Sequence, residues 1–349
     1  MKKYDYSFLA TGNLPVHLIN VISGIYSLKA GNDFRKTDYP AIYTELEKIA
    51  KVQSVKGSNA IEGIITTDER INAIVVKNSA PLNHNEAEIA GYRDALRFIH
   101  ENYGDVSLSE DFVLRLHGIM LQMANPETAG RYKKEDNVIM EIDEDGRRKV
   151  RFSPVPAKDT EENMRQWLLA YAEARDNSDI NKLLLIPCVI LDFLCIHPFT
   201  DGNGRVSRLL ELFLLYKAGF DAVRYISFEE QINKTKWLYY EALKNSSLNW
   251  HENKNDYFYF AENFLVVLLQ CYKELDKRFL TVNSKKVTKA GRIEATVLNS
   301  VVPISKTEIF NILPDVSPST IEMVLAKMLK DGKIKKLGVA KTTKYIKKF

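Results

Sequence analysis

The chain has 349 residues, 45% of them apolar and 27% charged, which is enough to bury a sizeable core and suggests two or three domains rather than one. Its formal net charge of +4 is unevenly placed, because residues 282–349 hold 14 Lys/Arg against 5 Asp/Glu. That segment stands at +9 and residues 1–281 at −5, so the profile is that of an ordinary globular protein carrying a separate basic module, with nucleic acid or another anionic partner as one explanation.

The N-terminal MKKYDYSFLATG contains no apolar stretch long enough for a secretory leader, so the expected location is cytoplasmic. Apolar residues then recur at helical spacing in Ile42 to Val55, Ala87 to Ile99 and Asp111 to Met123. Val138-Ile-Met-Glu-Ile and Lys149-Val-Arg-Phe flank the turn-forming stretch Asp143 to Arg147, which contains Asp145-Gly146 and predicts a β-hairpin. A two-stranded hairpin is marginal alone and should lie on the helices as a flap over a cleft, ended by Pro154 and Pro156.

Helical spacing resumes in Glu162 to Ala174, Leu183 to Ile196, Val206 to Ala218 and Phe258 to Leu280. The run from Leu183 to Ile196 is about two-thirds of a bilayer span and contains Pro187 and Asp192, so it reads as a buried helix, and no membrane partner is expected. Cys188, Cys195 and Cys271 all fall in apolar helical segments without metal spacing, which predicts reduced core thiols.

Beyond residue 281 the pattern changes. Ile304 to Phe310 predicts a short helix, and Ser317-Pro318 supplies an N-cap and a first-turn proline for a helix from Ser319 to Lys330, stopped at Asp331-Gly332. Lys333 to Leu337 and Lys344 to Lys348 can pair across Gly338 to Thr343, which completes the order of a winged helix.

The chemistry is concentrated in His197-Pro-Phe-Thr-Asp-Gly-Asn-Gly-Arg-Val-Ser-Arg208, between one apolar helix and a helix beginning near Arg205. Gly202 and Gly204 can take positive φ and turn backbone N–H groups inward beside the positive end of the next helix, forming an anion cradle. Arg205 and Arg208 lie three apart in its first turn and can hold further phosphate oxygens. Asp201 is a hard oxygen ligand suited to Mg²⁺ alongside substrate phosphates, and His197, neutral near pH 7, is the candidate general base. A polyphosphate with a positioned base beside it points to group transfer, in which the protein mainly positions and neutralises charge.

This stretch resembles the Fic family signature HxFx[DE]GNGRxxR at every specified position. The resemblance implies a mainly α Fic helical bundle with a β-hairpin flap, plus the small C-terminal winged-helix domain. It implies an adenylyltransferase in which His197 deprotonates a Tyr, Ser or Thr hydroxyl of a protein, which attacks the α-phosphate of ATP and expels pyrophosphate. Asp201 would hold magnesium; Gly202, Asn203 and Gly204 would contact the α-phosphate region; Arg205 and Arg208 would hold the β- and γ-phosphates; Phe199 would anchor the loop.

The likeness extends over roughly residues 55–250 through Leu116-His117-Gly118, Ala129-Gly130-Arg131-Tyr132 and Tyr239-Tyr240-Glu-Ala-Leu243. The last resembles the helix beside the family's adenine pocket and makes Tyr239 and Tyr240 nucleotide-binding candidates, with ordinary core packing as the alternative; His117 reads as a core residue. Ser153-Pro154-Val155-Pro156 departs from the adjacent prolines of many relatives. The chain then divides into an N-terminal helical region with an inhibitory helix (1–110), a Fic core (111–250), a connecting helix (251–281) and the winged-helix-like module (282–349).

Upstream, Ser58-Asn-Ala-Ile-Glu62-Gly63 resembles the family's inhibitory motif [ST]xxxE[GN]. If helical, it ends at Gly63 with Glu62 in the last turn, where the dipole disfavours a carboxylate and an outside cation is expected. The resemblance names that cation as Arg208, with Ser58 and Glu62 as regulatory residues. Two rival functions stay open: a DNA-binding regulator whose Fic core senses nucleotide, and a Fic enzyme moving a different phosphate-containing group. A protein or nucleic acid partner for the C-terminal module, modification of the chain itself and a homodimer also stay open.

Overall fold

The computed structural model describes residues 2–142, 146–283, 288–298, 300, 303–338 and 343–348. A turn of helix, α1 (Phe8–Thr11), leads into α2 (Val16–Asp38) and α3 (Pro40–Ile61), followed by α4 (Asp68–Lys77), α5 (His84–Asn102) and α6 (Glu110–Leu121). The hairpin β1 (Ile139–Ile142) and β2 (Arg148–Phe152) comes next. Helices α7 (Thr160–Asp176), α8 (Lys182–Ile196), α9 (Asn203–Lys217), α10 (Phe228–Lys234), α11 (Lys236–Ser247) and α12 (Phe258–Asn283) complete the bundle. Thr67, Asn83, Ser109, Asn181 and Ser227 each accept a first-turn backbone N–H, satisfying groups that a helix start leaves unpaired.

The longest apolar run in the sequence becomes the centre of the bundle. Every residue of α8 from Leu183 to Ile196 is buried, as a helix apolar on all sides requires. Asp192, its one acid, accepts from Trp250 Nε1 at 2.6 Å, from the Tyr6 hydroxyl at 2.8 Å and from the Tyr257 hydroxyl at 2.9 Å, with Lys2 Nζ at 4.0 Å. A buried carboxylate is tolerated when so surrounded, and here it ties the first residues of the chain to the core. Cys188, Cys195 and Cys271 are buried free thiols, each pushed up in pKa by that burial.

The flap forms where expected, while Asp143, Glu144 and Asp145 of its turn lie outside the described residues. The C-terminal segment runs α13 (Lys289–Leu298), β3 (Ile304–Ser305), α14 (Lys306–Ile312), α15 (Pro318–Lys330), β4 (Ile334–Leu337) and β5 (Lys344–Lys347), with antiparallel strand order β3-β5-β4. Ser317 and Pro318 cap α15 as read. Two details differ from the sequence expectation. Ile304 and Ser305 pair with β5 instead of opening a helix, because the Ser305 hydroxyl and the Glu308 carboxylate close a capping box that starts α14 at Lys306. α13 was not anticipated, and residues 339–342 of the expected hairpin loop lie outside the described residues. The segment is not detached, since α14 packs on α3. Among the described residues no helix is long and apolar enough to cross a membrane.

Candidate active site

Helix α8 ends at Ile196, and His197 caps it in the left-handed region with φ 51°. The chain turns back at Gly202, φ 79°, which caps α9 and leaves the first-turn N–H groups facing outward. Gly202 has a second reason to lack a side chain, because a Cβ there would stand 2.7 Å from Met120 Cε. Gly204 does not share its conformation: it is helical, the second residue of α9, contrary to the expected positive φ. What it supplies is space, since a Cβ at Gly204 would lie 2.4 Å from Glu62 Oε1.

From beneath, the loop is held by an aromatic stack. Phe199 is fully buried and lies parallel to His117 with ring centroids 3.7 Å apart. His117 Nδ1 accepts from the Gly130 N–H at 3.0 Å, so its Nε2 donates to the Asp201 carbonyl at 3.2 Å. Burial pushes this ring down to about 4, which keeps it neutral. His117 is therefore a core residue, as read, and also a support for the loop from His197 to Gly204.

Above the stack, His197 Nδ1 meets two amides, Asn137 Nδ2 at 3.0 Å and Asn203 Nδ2 at 3.2 Å. Both amides also donate to the Phe199 carbonyl. Their orientations are set independently, because Asn203 Oδ1 accepts from the Phe199 N–H at 2.9 Å and Asn137 Oδ1 accepts from Lys133 Nζ at 2.9 Å. Burial, then the nearby Lys133 cation, hold His197 down at about 4, while burial lowers Lys133 itself to about 8. The imidazole is thus neutral at pH 7; because both amides donate to Nδ1, the ring proton sits on Nε2 and the lone pair that can take a further proton is that of Nδ1.

The two arginines of the loop have different partners. Arg205 is buried and pairs with Glu88 of α5 and, at 3.2 Å, with Asp201 Oδ2. Arg208 is buried and turns to α3, where Nε donates to Ser58 Oγ at 2.9 Å and Nη2 to the Ser58 carbonyl at 3.1 Å and to Glu62 Oε1 at 2.7 Å. Glu62 is where it is because α3 stops sharply: the N–H of Ile64 bonds the Asn59 carbonyl and that of Gly63, φ 79°, bonds the Ala60 carbonyl, a Schellman ending with glycine at its left-handed position. Burial works to raise the Glu62 carboxyl, and the Arg208 charge and hydrogen bond override it, holding the group below its ordinary value. The Asp201 side chain, 61% exposed, has Oδ1 free of protein partners among the described residues. A single open carboxylate suits magnesium, which keeps several waters and takes remaining ligands from phosphates.

A cavity of about 240 Å³ lies between the loop, the flap and α11, lined by His197, Gly204 and Arg208 on one side and Arg151, Tyr239 and Tyr240 among others on the far side. Tyr239 is buried against Phe260, with ring centroids 5.7 Å apart, and its hydroxyl has no partner among the described residues; Tyr240 sits at the rim, 37% exposed. Asp201, Gly202, Asn203 and Arg205 are not among the residues that line it. A larger cleft of about 630 Å³ between the N-terminal segment and α7 holds no histidine, arginine or glycine loop. Sequence reasoning missed Asn137, Lys133, Glu88 and Arg151; the first two lie between the recognised Gly130-Arg131-Tyr132 and the flap, and Arg151 lies in the flap itself.

Residues 107–215 match the Fic/DOC family model. The protein adenylyltransferase Fic of Nematostella vectensis is 30% identical over 210 residues, 57% of this chain and 44% of that protein. The protein adenylyltransferase fic-1 of Caenorhabditis elegans is 26% identical over 157 residues, 44% of this chain and 28% of that one. The chain thus spans less than half the length of these curated relatives. The fold is shared with a Fic family protein from Desulfovibrio desulfuricans, at TM-score 0.63 and 18% identity over 96% of this chain and 97% of that one. It is shared also with C. elegans Fic-1, at TM-score 0.55 and 20% identity over 75% of this chain and 72% of that one.

Proposed function

We propose that the chain is a protein adenylyltransferase that moves AMP from Mg-ATP to Tyr, Ser or Thr hydroxyls of proteins and is held back by its own Glu62. The observation that carries this reading is the Glu62 carboxylate lying over the first turn of α9, 2.7 Å from Arg208 Nη2. A helix N-terminus with an adjacent guanidinium is a phosphate site, and here a side chain of the protein fills it as an anion would.

In the reaction, His197 takes the hydroxyl proton, the oxygen attacks the α-phosphorus, and the bond to the bridging oxygen breaks to release pyrophosphate. Asp201 would hold magnesium alongside the phosphates, and the ion would supply charge neutralisation on the leaving group. The backbone N–H groups from Gly202 onward, that of Asn203 included, hold the α-phosphate, and Arg208, once released by Glu62, holds the γ-phosphate. Tyr239 and Tyr240 border the adenine, Tyr239 from within the core. Residues 282–349 are read as a winged-helix-like module; the exposed face of α15 mixes Glu322 and Met323 with Lys327 and Lys330, which does not favour a DNA-binding regulator over an enzyme.

The test is labelled AMP incorporation into protein, the chain itself included, by wild type, Glu62→Gly, Arg208→Ala and the double variant. Freeing Arg208 should correct a misplacement of about 1 Å and raise transfer on the order of a hundredfold. Arg208→Ala should be inactive in both backgrounds. An unchanged rate in Glu62→Gly removes the brake from this reading, and incorporation from another nucleotide but not ATP changes the transferred group.

A further inference from the structure

The flap strands are paired unevenly. Ile139 stands opposite Phe152 and Met140 opposite Val150, so Arg151 has no residue across from it and is the extra member of a β-bulge. A bulge bends its strand and re-aims the extra side chain. Arg151 is aimed into the cavity, whose wall it shares with His197, Gly204 and Arg208. Its Nη1 is buried and has no hydrogen-bond partner among the described residues.

A guanidinium cannot shed its charge, so a buried and unpaired nitrogen costs stability unless an anion arrives. The carboxylates nearby are already taken. Glu141 accepts from Lys244 at 2.9 Å and pairs with Lys149 at 3.2 Å, while Glu62 holds Arg208. Burial also pulls the Arg151 pKa down, consistent with a cation lacking its counter-charge.

We propose that Arg151 is a third phosphate-binding cation of this site, whose Nη1 donates to the nucleotide's α-phosphate from the flap side while the start of α9 holds it from the other. The assignment rests on the adenylyl-transfer reading for the identity of the anion. The α-phosphate is selected because it must lie within reach of a hydroxyl whose proton goes to His197, and Arg151 lies across the same cavity from His197, close enough for its charge to act on that ring. Clamped between flap and helix, the phosphorus keeps its position when pyrophosphate leaves.

Calorimetric titration of the full chain and of its Glu62→Gly variant with AMP and with adenosine separates the roles. Arg151→Met should weaken AMP binding roughly ten- to a hundredfold, the range for a hydrogen bond to a charged group, and leave adenosine within about twofold. Arg151→Lys should recover part of the loss, which a flap that had merely misfolded would not. Equal losses for AMP and adenosine would make Arg151 a structural residue and overturn the assignment, as would unchanged AMP affinity. Unchanged nucleotide binding with a raised KM for a protein target would mean that the arginine reads an acidic group on that target. If the unsubstituted chain bound neither AMP nor ATP, the transfer reading itself would fall; intact AMP binding that ignores Arg151 would remove only this inference.

Discussion

The two walls of the 240 Å³ cavity are finished to different degrees. Around the loop the polar groups that meet the ring and the cavity have partners within the protein: His197 Nδ1 has Asn137 and Asn203, Asn203 Oδ1 has the Phe199 N–H, and Arg208 has Ser58 and Glu62. On the wall of flap and α11, Arg151 Nη1 and the Tyr239 hydroxyl are buried without one. The loop is set before substrate arrives, as positioning a base requires, whereas the facing wall keeps bonding capacity for a ligand. Glu62 stands between them and occupies the one arginine of the loop that lines the cavity.

If that contrast holds, breaking the loop wall harms chemistry and spares binding. The largest effect is expected for His197→Ala, which should cut labelled AMP incorporation by about a hundred- to ten-thousandfold, the usual share of a general base. ATP affinity by calorimetry should stay within about twofold, and a parallel loss of affinity would place His197 among the binding groups instead. A smaller change is expected for Asn137→Leu, which removes one of two amide supports from the ring. One lost hydrogen bond of roughly 1–1.5 kcal/mol corresponds to about a tenfold drop in rate with nucleotide affinity unchanged. An unaltered rate would show that Asn203 alone positions the ring.

The smallest effect is one of pH. A base must be unprotonated to act, and burial holds His197 at about 4, so in the Glu62→Gly variant kcat/KM should stay level down to about pH 5 and fall only below it. An acid limb at about pH 6.5, the free imidazole value, would contradict a ring buried in the free enzyme. The same shift gives a sign for stability. Between about 6.5 and about 4 the unfolded chain binds a proton at this ring and the folded chain does not, so His197 lowers stability as pH falls through that window.

Much of this was legible in the sequence because the loop is contiguous. Spacing alone placed His197, Asp201, Gly202, Gly204, Arg205 and Arg208 together, the family resemblance added Asn203, and the apolar run Leu183 to Ile196 announced the helix that carries them. What was not legible came from elsewhere in the chain. Glu88 reaches Arg205 from α5, and nothing local distinguishes it from any acid on a helix. Lys133 and Asn137 act through a turn whose path no periodicity describes, and Arg151 depends on a slip of one residue in strand register. Gly204 was read for the wrong property, since its helical backbone shows that clearance for Glu62, not positive φ, is what the position requires.

His197 itself sits at φ 51°, where a helix usually ends on glycine. For a residue with a Cβ that conformation costs roughly 1–2 kcal/mol, and here no side-chain bond to its own backbone offsets it. The protein therefore carries a stability debt at the very residue assigned to the chemistry, and the debt can be measured without any assay of transfer. His197→Gly should melt at higher temperature than His197→Ala, because both lack the imidazole and only glycine relieves the backbone. At this position the residue that best suits the backbone and the residue assigned to the chemistry are different amino acids.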